Sequence, residues 1–553
     1  MTASHHTSLE YLPLTKGQLE HYEMLARFPE FRTPFWTSYR ISRELNVAAL
    51  ADAIKSVVGH HEGMRIGIRE LPGCPPVQWI RAPPPDRLLI SRQEVRAVSR
   101  QQFEKYVRHV MARNQEENWS LSDGYPFKFL LLKYSSELHA LIVGLSHLAM
   151  DARAKELVLR DLWRAYSATG GCIFKDGGQR MKSYSDAIRC HKVQGEEDEG
   201  KRGRRFIQLD VSQVFSVTQF LTIRSAPTSQ YGFILEFGLN AILLADLRSM
   251  IHESEFSEAQ CIFAALAHSV FGICPQDRIQ FPITVDLRNA AERDLVGMFA
   301  TSATVIVDRP RASTTVKDFL SHVKQRTIRA MVDCQRTEVR GPDLRDRDET
   351  SKWGSRQEKC LWFNYRNIAS DQSGRTSEPA NVERDAYSPS VRYTVRGISS
   401  DVISTPEHLR LRIAFNEAIF SMEAAEEFVA NLQKTLAIMA EYGAADNREL
   451  AAPARSAPDH IATLADGQGN TVAWADMTCL AKHIGEYPGV ISSTVRRVAG
   501  SAGETLLEAV VAVSEEFQFT ETTFKEQLLK TAEPQRLLLA PHRILLSRDA
   551  DLA

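Results

Sequence analysis

The chain contains 553 residues, of which 43% are hydrophobic, and its 67 Lys and Arg against 69 Asp and Glu give a net charge of −2. This balance provides no global attraction to nucleic acid or to an anionic membrane surface, so neither is an expected partner. At roughly 150 residues per domain, the length predicts three to four domains.

The eight cysteines are scattered, with no C-x-x-C spacing and no adjacent histidine at metal-ligand spacing. This pattern argues against a zinc site or a disulfide framework, and it predicts a reducing, cytoplasmic environment. The first residues lack the basic and apolar regions of a secretory signal, and no apolar run reaches the roughly 18 residues of a membrane span.

Periodic apolar residues predict the elements in chain order. Residues 47–58 predict a helix with Asn46 as its N-cap, residues 126–145 predict a β-hairpin, and residues 153–166 predict the helix that follows it. Further helices are expected at 257–272 and 422–442, and strands at 280–288 and 300–307. The alternation predicts a mixed α/β fold.

Four polar stretches interrupt these elements. They are residues 194–205, 336–359, 369–390 and 443–458. The first is dense in charge and is expected to be a solvated connector, the third is expected to be a long loop, and the last is expected to be an interdomain linker.

Residues 141–166 contain the best candidates for chemistry. A buried strand is expected to end at Leu145, His147 follows in a turn, and Asp151 precedes a helix. A histidine at a strand end can face a cleft, where its neutral nitrogen can take a proton from an attacking amine or hydroxyl. On this spacing alone, the simpler interpretation is an ordinary loop histidine and an aspartate that only caps the helix.

Six segments change that interpretation because of their order. They are LPLTKGQ at 12–18, HHEGMR at 60–65, SHLAMDA at 146–152, ITVDLRNAAERDLVGMFATSATV at 283–305, LWFNYRN at 361–367 and residues 409–420, which end in FNEAIF. Together they resemble the motifs of nonribosomal peptide synthetase condensation domains, within the chloramphenicol-acetyltransferase-like acyltransferases.

The resemblance implies two α/β lobes that form a V around a central tunnel. The lobes would comprise residues 1–193 and 207–442, and residues 459–553 would form a small α+β domain. Two substrates on the phosphopantetheine arms of carrier proteins would enter the tunnel from opposite faces. A monomer is the expected state.

The resemblance also implies roles for individual residues. His147 matches the histidine tied to catalysis, as general base or as the group that positions the nucleophile. Asp151 matches an architectural aspartate that pairs with an arginine, and Arg288 matches that arginine. The alternative for Arg288 is a surface residue at a strand end.

Three positions, Ser146, Ala152 and Asn364, are candidates for the predicted tunnel, and they lie in motifs that depart from or match the family pattern. Ser146 replaces the first motif histidine, and Ala152 replaces the motif glycine, so the loop is expected to differ if positive φ is required there. Asn364 lies in the F-N-Y match, as does Tyr365, where packing within the second lobe is favoured over substrate contact. Thr301 and Ser302 replace an Asn-Thr pair.

The tail resembles the small C-terminal subdomain of adenylation domains. Its predicted elements are a helix near 474–484, strands at 490–498 and 506–513, a helix at 521–532 and a strand at 536–546. No lysine follows Lys530, where that subdomain carries one near its end, so activation of an acid with ATP is not expected. The tail is interpreted as a remnant or docking module, and the alternative is an unrelated α+β domain.

Three functions remain open from the sequence. The first is a free-standing condensation enzyme that joins a carrier-bound acyl or aminoacyl thioester to an amine or hydroxyl. The second is an acyltransferase that uses coenzyme A, and the third is a catalytically silent scaffold that binds carrier proteins. No carrier or thioesterase motif was found, so carriers are expected as separate partners. No intrinsic metal or cofactor is expected, because phosphopantetheine arrives with the substrate.

Overall fold

The computed structural model describes most of the chain outside the polar stretches. The described residues are 10–27, 34–115, 117, 119–168, 183–191, 231–273, 278–311, 313–336, 361–367, 378–385, 393–394, 397–417, 420, 422–441, 450, 461–465, 471–501, 505–531 and 541–547. We call residues 10–191 the first lobe, residues 231–441 the second lobe and residues 461–547 the tail.

The first lobe combines helices with two sheets. Its strands are β1 (Leu12–Pro13), β2 (Phe35–Ile41), β3 (Ile66–Arg69), β4 (Val77–Ile80), β5 (Ser91–Glu94), β6 (Phe127–Lys133) and β7 (His139–Leu145). Its helices are α1 (Lys16–Arg27), α2 (Val47–His60), α3 (Arg100–Gln115), α4 (Ala152–Ser167) and α5 (184–191). The larger sheet has the order β2-β7-β6-β5, and β1-β4-β3 form a small second sheet.

The predicted helix–hairpin–helix pattern of this lobe is confirmed. The Asn46 side chain accepts a hydrogen bond from the Ala49 N–H and caps α2, as the sequence predicts. Strands β6 and β7 form the predicted antiparallel hairpin. Every residue of β7 is buried, which explains why its sequence is continuously apolar rather than alternating.

The second lobe is built on a seven-stranded sheet. The strands of this sheet are β8 (Tyr231–Gly238), β9 (Arg278–Asp286), β10 (Ala300–Asp308), β11 (Leu361–Asn367), β13 (Tyr393–Thr394), β14 (Ile398–Ser404) and β15 (Leu409–Asn416). An eighth strand, β12 (Val382–Arg384), lies outside it. The helices of this lobe are α6 (Ala241–Glu253), α7 (Glu258–Ile273), α8 (Val316–Arg336) and α9 (Met422–Ala440). The sheet order is β10-β9-β11-β14-β15-β8-β13.

Two segments of the second lobe pack into the first. Strand β12 pairs with β2 in an antiparallel register and extends the first lobe's sheet to five strands. Leu295, Val296 and Phe299 belong to the hydrophobic core of the first lobe. The sequence prediction of a loop over 369–390 is therefore wrong at β12, because backbone pairing with β2 imposes an extended conformation there.

The tail has its own small hydrophobic core. Its elements are β16 (Ile461–Ala465), β17 (Thr471–Asp476), α10 (Met477–Gly485), β18 (Val490–Ala499), β19 (Thr505–Val513), α11 (Glu521–Thr531) and β20 (Arg543–Ser547). Strands β18, β19 and β20 form one sheet, and β16 and β17 form a hairpin. The prediction of a helix from Trp474 is wrong by three residues, because Trp474 lies in β17 and pairs with Thr463.

Several sequence predictions fall on residues that the structure does not describe. The connector at 194–205 lies outside the described residues, and so do the domain boundaries at 193, 207, 442 and 459. In the stretch 336–359, only Arg336 is described, as the last residue of α8. The first part of the strand predicted at 536–546 is also outside the described residues, and β20 begins at Arg543.

Among the described residues, no single helix is long and apolar enough to cross a membrane. The helices α6 and α7 reach the length and apolar composition of a membrane span only when they are taken together, and they are bent by 114° relative to each other.

Candidate functional site

His147 lies in the tight turn that joins β7 to α4. The turn begins at Ser146, whose carbonyl accepts hydrogen bonds from the backbone N–H groups of Ala149 (3.1 Å) and Met150 (3.0 Å). The Ser146 N–H donates to the carbonyl of Pro126 (2.9 Å), which ties the turn to the start of β6. The apolar hairpin therefore positions His147 at the end of a fully buried strand.

Two aromatic rings contact the half-buried His147 ring. The ring centroid of Phe35 in β2 lies 4.3 Å from that of His147, and the ring centroid of His21 in α1 lies 4.7 Å away. The His147 Nδ1 atom is buried and has no hydrogen-bond partner among the described residues. The ring is thus held by packing on elements that are distant in sequence.

Burial lowers the pKa of His147 below its ordinary value. The backbone of His147 and Met150 and the charge of Asp151 act in the opposite direction without reversing this effect, and the charge of Lys155 lowers the pKa further. The imidazole is therefore neutral at pH 7, which is the form that can accept a proton.

Asp151 is the N-cap of α4 and is buried beneath the turn. Its carboxylate accepts hydrogen bonds from the backbone N–H groups of Ala154 (2.8 Å), Phe299 (2.9 Å) and Ala300 (3.1 Å). Asp151 therefore has two roles. It caps α4, as the simpler interpretation predicts, and it also binds the backbone of the second lobe.

Arg288 forms a bidentate ion pair with Asp151. The two nitrogen–oxygen distances are 2.7 and 3.0 Å, and the side chains are only 1% and 2% exposed. Arg288 also donates to the carbonyls of Leu295 (3.1 Å) and Gly297 (2.9 Å). The structure therefore does not place Arg288 on the surface.

Burial alone would raise the pKa of Asp151, but the charge and hydrogen bonds of Arg288 hold that pKa below its ordinary value. The aspartate is consequently ionised at neutral pH. An arginine fork that satisfies both carboxylate oxygens fixes the geometry of the loop as well as its charge.

Glycines let the motif segments approach one another closely. A Cβ atom on Gly17 would lie 1.9 Å from the Ala300 carbonyl oxygen, and one on Gly63 would lie 2.1 Å from the Val296 carbonyl oxygen. Side chains larger than hydrogen do not fit at either place. The motif segments at 12–18 and 60–65 therefore serve as contact surfaces for the loop that follows Arg288.

A second ion cluster lies on the next turn of α4. Arg384 of β12 donates to both carboxylate oxygens of Glu156, each at 2.8 Å, and Lys155 lies 3.2 Å from Glu156. Burial raises the pKa of Glu156, but hydrogen bonds and charges from Arg384 and Lys155 bring it down to about 2. The sequence analysis missed this cluster, whose one local signal is the spacing of Lys155 four residues after Asp151.

The predicted tunnel positions have distinct surroundings. Ser146 is buried in the turn, and Ala152 is the first residue of α4. Among the described residues, Asp385 is the only non-glycine residue with a positive φ, so Ala152 adopts no left-handed backbone. The expected loop difference at Ala152 therefore has no basis in backbone strain.

Asn364 and Tyr365 bond within the second lobe. The Asn364 side-chain amide donates to Asp401 (2.9 Å), and the Tyr365 hydroxyl donates to Glu258 (2.8 Å). Both contacts correspond to the packing role that the sequence analysis favoured. Arg366, on the same strand, also pairs with Asp401.

Within the described ranges, no three His, Cys, Asp or Glu side chains are grouped as ligands for a metal ion. The groups gathered around the turn are instead one neutral imidazole, a buried ion pair and a half-buried ion cluster. This arrangement can take a proton from a substrate and can fix the group that takes it.

Comparisons with known proteins identify the family of the chain. A family model described as "Condensation domain" matches residues 35–456. The chain is 27% identical over 157 residues to the polyketide synthase-nonribosomal peptide synthetase phmA of Phaeosphaeria nodorum. That alignment covers 28% of this chain but spans only 4% of the synthetase.

Solved structures show the same fold at low sequence identity. The X-domain from teicoplanin biosynthesis matches with a TM-score of 0.60 and 17% identity, over 80% of this chain and 97% of that chain. The starter condensation domain of rhizomide synthetase RzmA matches with a TM-score of 0.58 and 14% identity, over 80% and 99% respectively. These likenesses confirm the predicted mixed α/β, chloramphenicol-acetyltransferase-like fold; the tunnel and the origin of the tail stay predictions.

Proposed function

This chain belongs to the condensation-domain family, and from that premise we propose that it is an acyltransferase of the condensation type. It joins an acyl or aminoacyl group, delivered as a thioester on a carrier protein, to an amine or hydroxyl acceptor. The observation that carries the proposal is the half-buried His147 ring in the turn that follows β7, and the lowered pKa of this ring supports its role as a proton acceptor.

The reaction needs little beyond positioning and one proton acceptor. As the acceptor nitrogen attacks the thioester carbonyl, a carbon–nitrogen bond forms and the His147 imidazole takes the proton from that nitrogen. Collapse of the tetrahedral intermediate breaks the carbon–sulfur bond, and the protonated His147 imidazole returns its proton to the pantetheine thiolate, which leaves as a thiol. A hydroxyl acceptor reacts through the same steps, and the product is an ester. Holding both reactants in the correct orientation at one imidazole can lower the activation free energy by about 7–11 kcal/mol.

Asp151 and Arg288 act on the reaction through the turn. They touch no reacting atom in this proposal, because both side chains are buried beneath the loop. By fixing that loop, they hold the His147 ring at a constant distance from the bound carbonyl. Ser146 and Ala152 are proposed to lie along the substrate path without a chemical role, and Asn364 is proposed to support that path through its bond to Asp401.

Membership of the family supports the proposed donor and its delivery. The matched synthetase is named as a polyketide synthase-nonribosomal peptide synthetase, which supports acyl or peptidyl carrier proteins as partners. Acyl coenzyme A carries the same pantetheine arm and is the alternative donor. The third candidate function is a scaffold that binds carrier proteins without turnover, and the test must distinguish it from both enzymes.

The test is intact-protein mass spectrometry of an acyl-loaded carrier protein mixed with a panel of amines and alcohols. The wild type is compared with His147→Ala and with His109→Ala, a matched control because His109 lies on the exposed face of α3. Unloading of the carrier with a new amide or ester, lost in His147→Ala and retained in His109→Ala, is the expected result.

Parallel reactions with acyl coenzyme A separate the two donors. Turnover with coenzyme A but not with the carrier would identify the alternative acyltransferase. Carrier binding without turnover, measured across the whole panel with the wild type, would replace the enzyme proposal by the scaffold.

A further inference from the structure

His21 is the one other histidine whose ring contacts His147 among the described residues. It lies in α1, and its ring centroid is 4.7 Å from that of His147 with an interplanar angle of 34°. His21 follows Gly17 by four residues and Gln18 by three, so the three residues share one face of α1. That face packs on the second lobe at Ala300 through Gly17, and on Gln78 through Gln18.

The contacts of helix α1 therefore fix the position of His21 at the site. Gln18 is fully buried, and its side chain bonds to Gln78, which also accepts a bond from Tyr184. Helix α1 is further anchored by the Thr15 hydroxyl, which donates to the Met298 carbonyl (2.6 Å). A ring on this face has a fixed position relative to the turn.

Other charged groups near the pair come from several elements. Asp151 and Lys155 act on His147 in opposite directions, and Asp151 is already neutralised by Arg288. On α1 itself, Glu20 accepts hydrogen bonds from the backbone and hydroxyl of Ser302 on β10. Phe35 of β2, which contacts His147, carries no charge.

Two imidazole rings in contact do not readily carry a charge each. Protonation of one ring opposes protonation of the other, so the pair titrates in two coupled steps rather than as two independent histidines. A base that must stay neutral to accept a proton benefits when its neighbour takes up the first proton as the pH falls.

We propose that His21 is a positioning residue for His147: it packs against the reacting imidazole, and protonation of His21 opposes protonation of His147. The proposal rests on the proposed function only for the role of His147 in turnover. The coupling between the two rings can be measured without any substrate.

The experiment compares the wild type with His21→Phe, which keeps an aromatic ring but cannot be protonated. His109→Phe, on the exposed face of α3, is the matched control, and His21→Gln is the second variant if the phenylalanine disturbs folding. The first readout is the NMR chemical shift of the His147 ring proton between pH 5 and pH 8, assigned with His147→Gln. The second is the pH profile of the single-turnover condensation rate.

In His21→Phe, we expect the titration midpoint of His147 to move to higher pH by about one pH unit, a tenfold change in proton affinity. The acid side of the rate profile should move by the same amount. Because the pKa of His147 lies below its ordinary value in the wild type, the rate at pH 6 then falls by about two- to fivefold, while the rate at pH 8 changes by less than about twofold. His109→Phe should leave both readouts unchanged.

Two results would overturn the proposal. One is an unchanged His147 midpoint in both His21 variants, which would show that the titrations of the two rings are not coupled. The other is a rate that falls equally at every pH, which would give His21 a packing role alone. If the wild type shows no turnover, the proposed function fails, but the NMR titration still decides whether the two histidines are coupled.

Discussion

Helix α4 carries two carboxylates that each bind an arginine from the second lobe, and the two pairs differ in burial. Asp151 at the N-cap and its partner Arg288 are 2% and 1% exposed, whereas Glu156 and its partner Arg384 are 35% and 30% exposed. The chemistry of the two pairs is the same. Burial therefore decides what each contributes to the molecule.

The buried pair cannot separate without leaving a charge in the protein interior. If Arg288 is removed, the Asp151 oxygens keep only the backbone N–H groups of Ala154, Phe299 and Ala300, none of which carries a full charge. The half-buried pair shares its carboxylate with Lys155 and reaches solvent, which can substitute for lost contacts. We infer that the first pair fixes the His147 turn and that the second adjusts its surroundings.

Breaking the buried pair should have the largest effect on stability. Asp151→Asn leaves the buried Arg288 guanidinium with only the partly exposed Asp286, 3.0 Å away, as a counter-charge. Loss of the bidentate partner should cost about 3 kcal/mol of the free energy of unfolding. The measurement is urea-induced unfolding followed by tryptophan fluorescence. The condensation rate should fall as well, although Asp151 touches no reacting atom, because the turn loses its anchor.

The control for this variant is Arg189→Ala, which breaks an exposed pair with Glu10 whose side chains are 44% and 58% exposed. Its expected cost is at most about 1 kcal/mol. Equal costs for the two variants would mean that burial does not distinguish the pairs.

The loop that follows Arg288 offers a second way to disturb the same anchor. Gly63→Ala would place a Cβ atom 2.1 Å from the Val296 carbonyl oxygen, so backbone must move on one side of the contact. We expect a loss of about 1–3 kcal/mol, the usual range for overpacking a tight site. The same urea unfolding measures it.

Gly59→Ala is the matched control, because a Cβ atom there would meet nothing within 4 Å. Gly59 lies inside α2, where alanine is favoured over glycine by about 0.5–1 kcal/mol, so this variant should be slightly more stable. A similar loss in both variants would contradict a specific contact between Gly63 and the loop.

The residues of the buried pair could be predicted from the sequence, but those of the half-buried cluster could not. Asp151 and Arg288 lie in segments whose order and spacing carry a family pattern, and Asp151 also has the local signal of a helix cap. Arg384 lies in a three-residue strand inside a polar stretch, and its sheet partner β2 is more than three hundred residues earlier. No local periodicity marks such a pairing.

His21 and Trp474 illustrate the same limit. His21 shares a helical face with Gly17 and Gln18, but only the packing of α1 on the second lobe directs that face toward His147. Trp474 belongs to a short apolar run in which strand and helix patterns are not distinguishable. Trp474 lies in a strand because its backbone pairs with Thr463 of β16.

Breaking the half-buried pair should have the smallest effect, and that effect should depend on pH. The folded-state pKa of Glu156 is about 2, below the roughly 4.3 of an unfolded glutamate. The stabilisation is therefore present above about pH 4.3 and is lost as the pH falls toward 2. Arg384→Ala should cost about 1 kcal/mol at pH 7, because solvent screens a pair that is one-third exposed.

The difference between the wild type and Arg384→Ala should shrink as the pH is lowered from about 4.5 toward 2, and added salt should reduce it at pH 7. Arg410→Ala is the control, since its partner Glu236 and Arg410 itself are 42% and 60% exposed. A difference that stays constant with pH would show that Arg384 contributes packing rather than charge. A solvent-screened ion pair alone should not cost as much stability as the buried pair. If Arg384→Ala destabilised the protein as much as Asp151→Asn does, both pairs would anchor the turn.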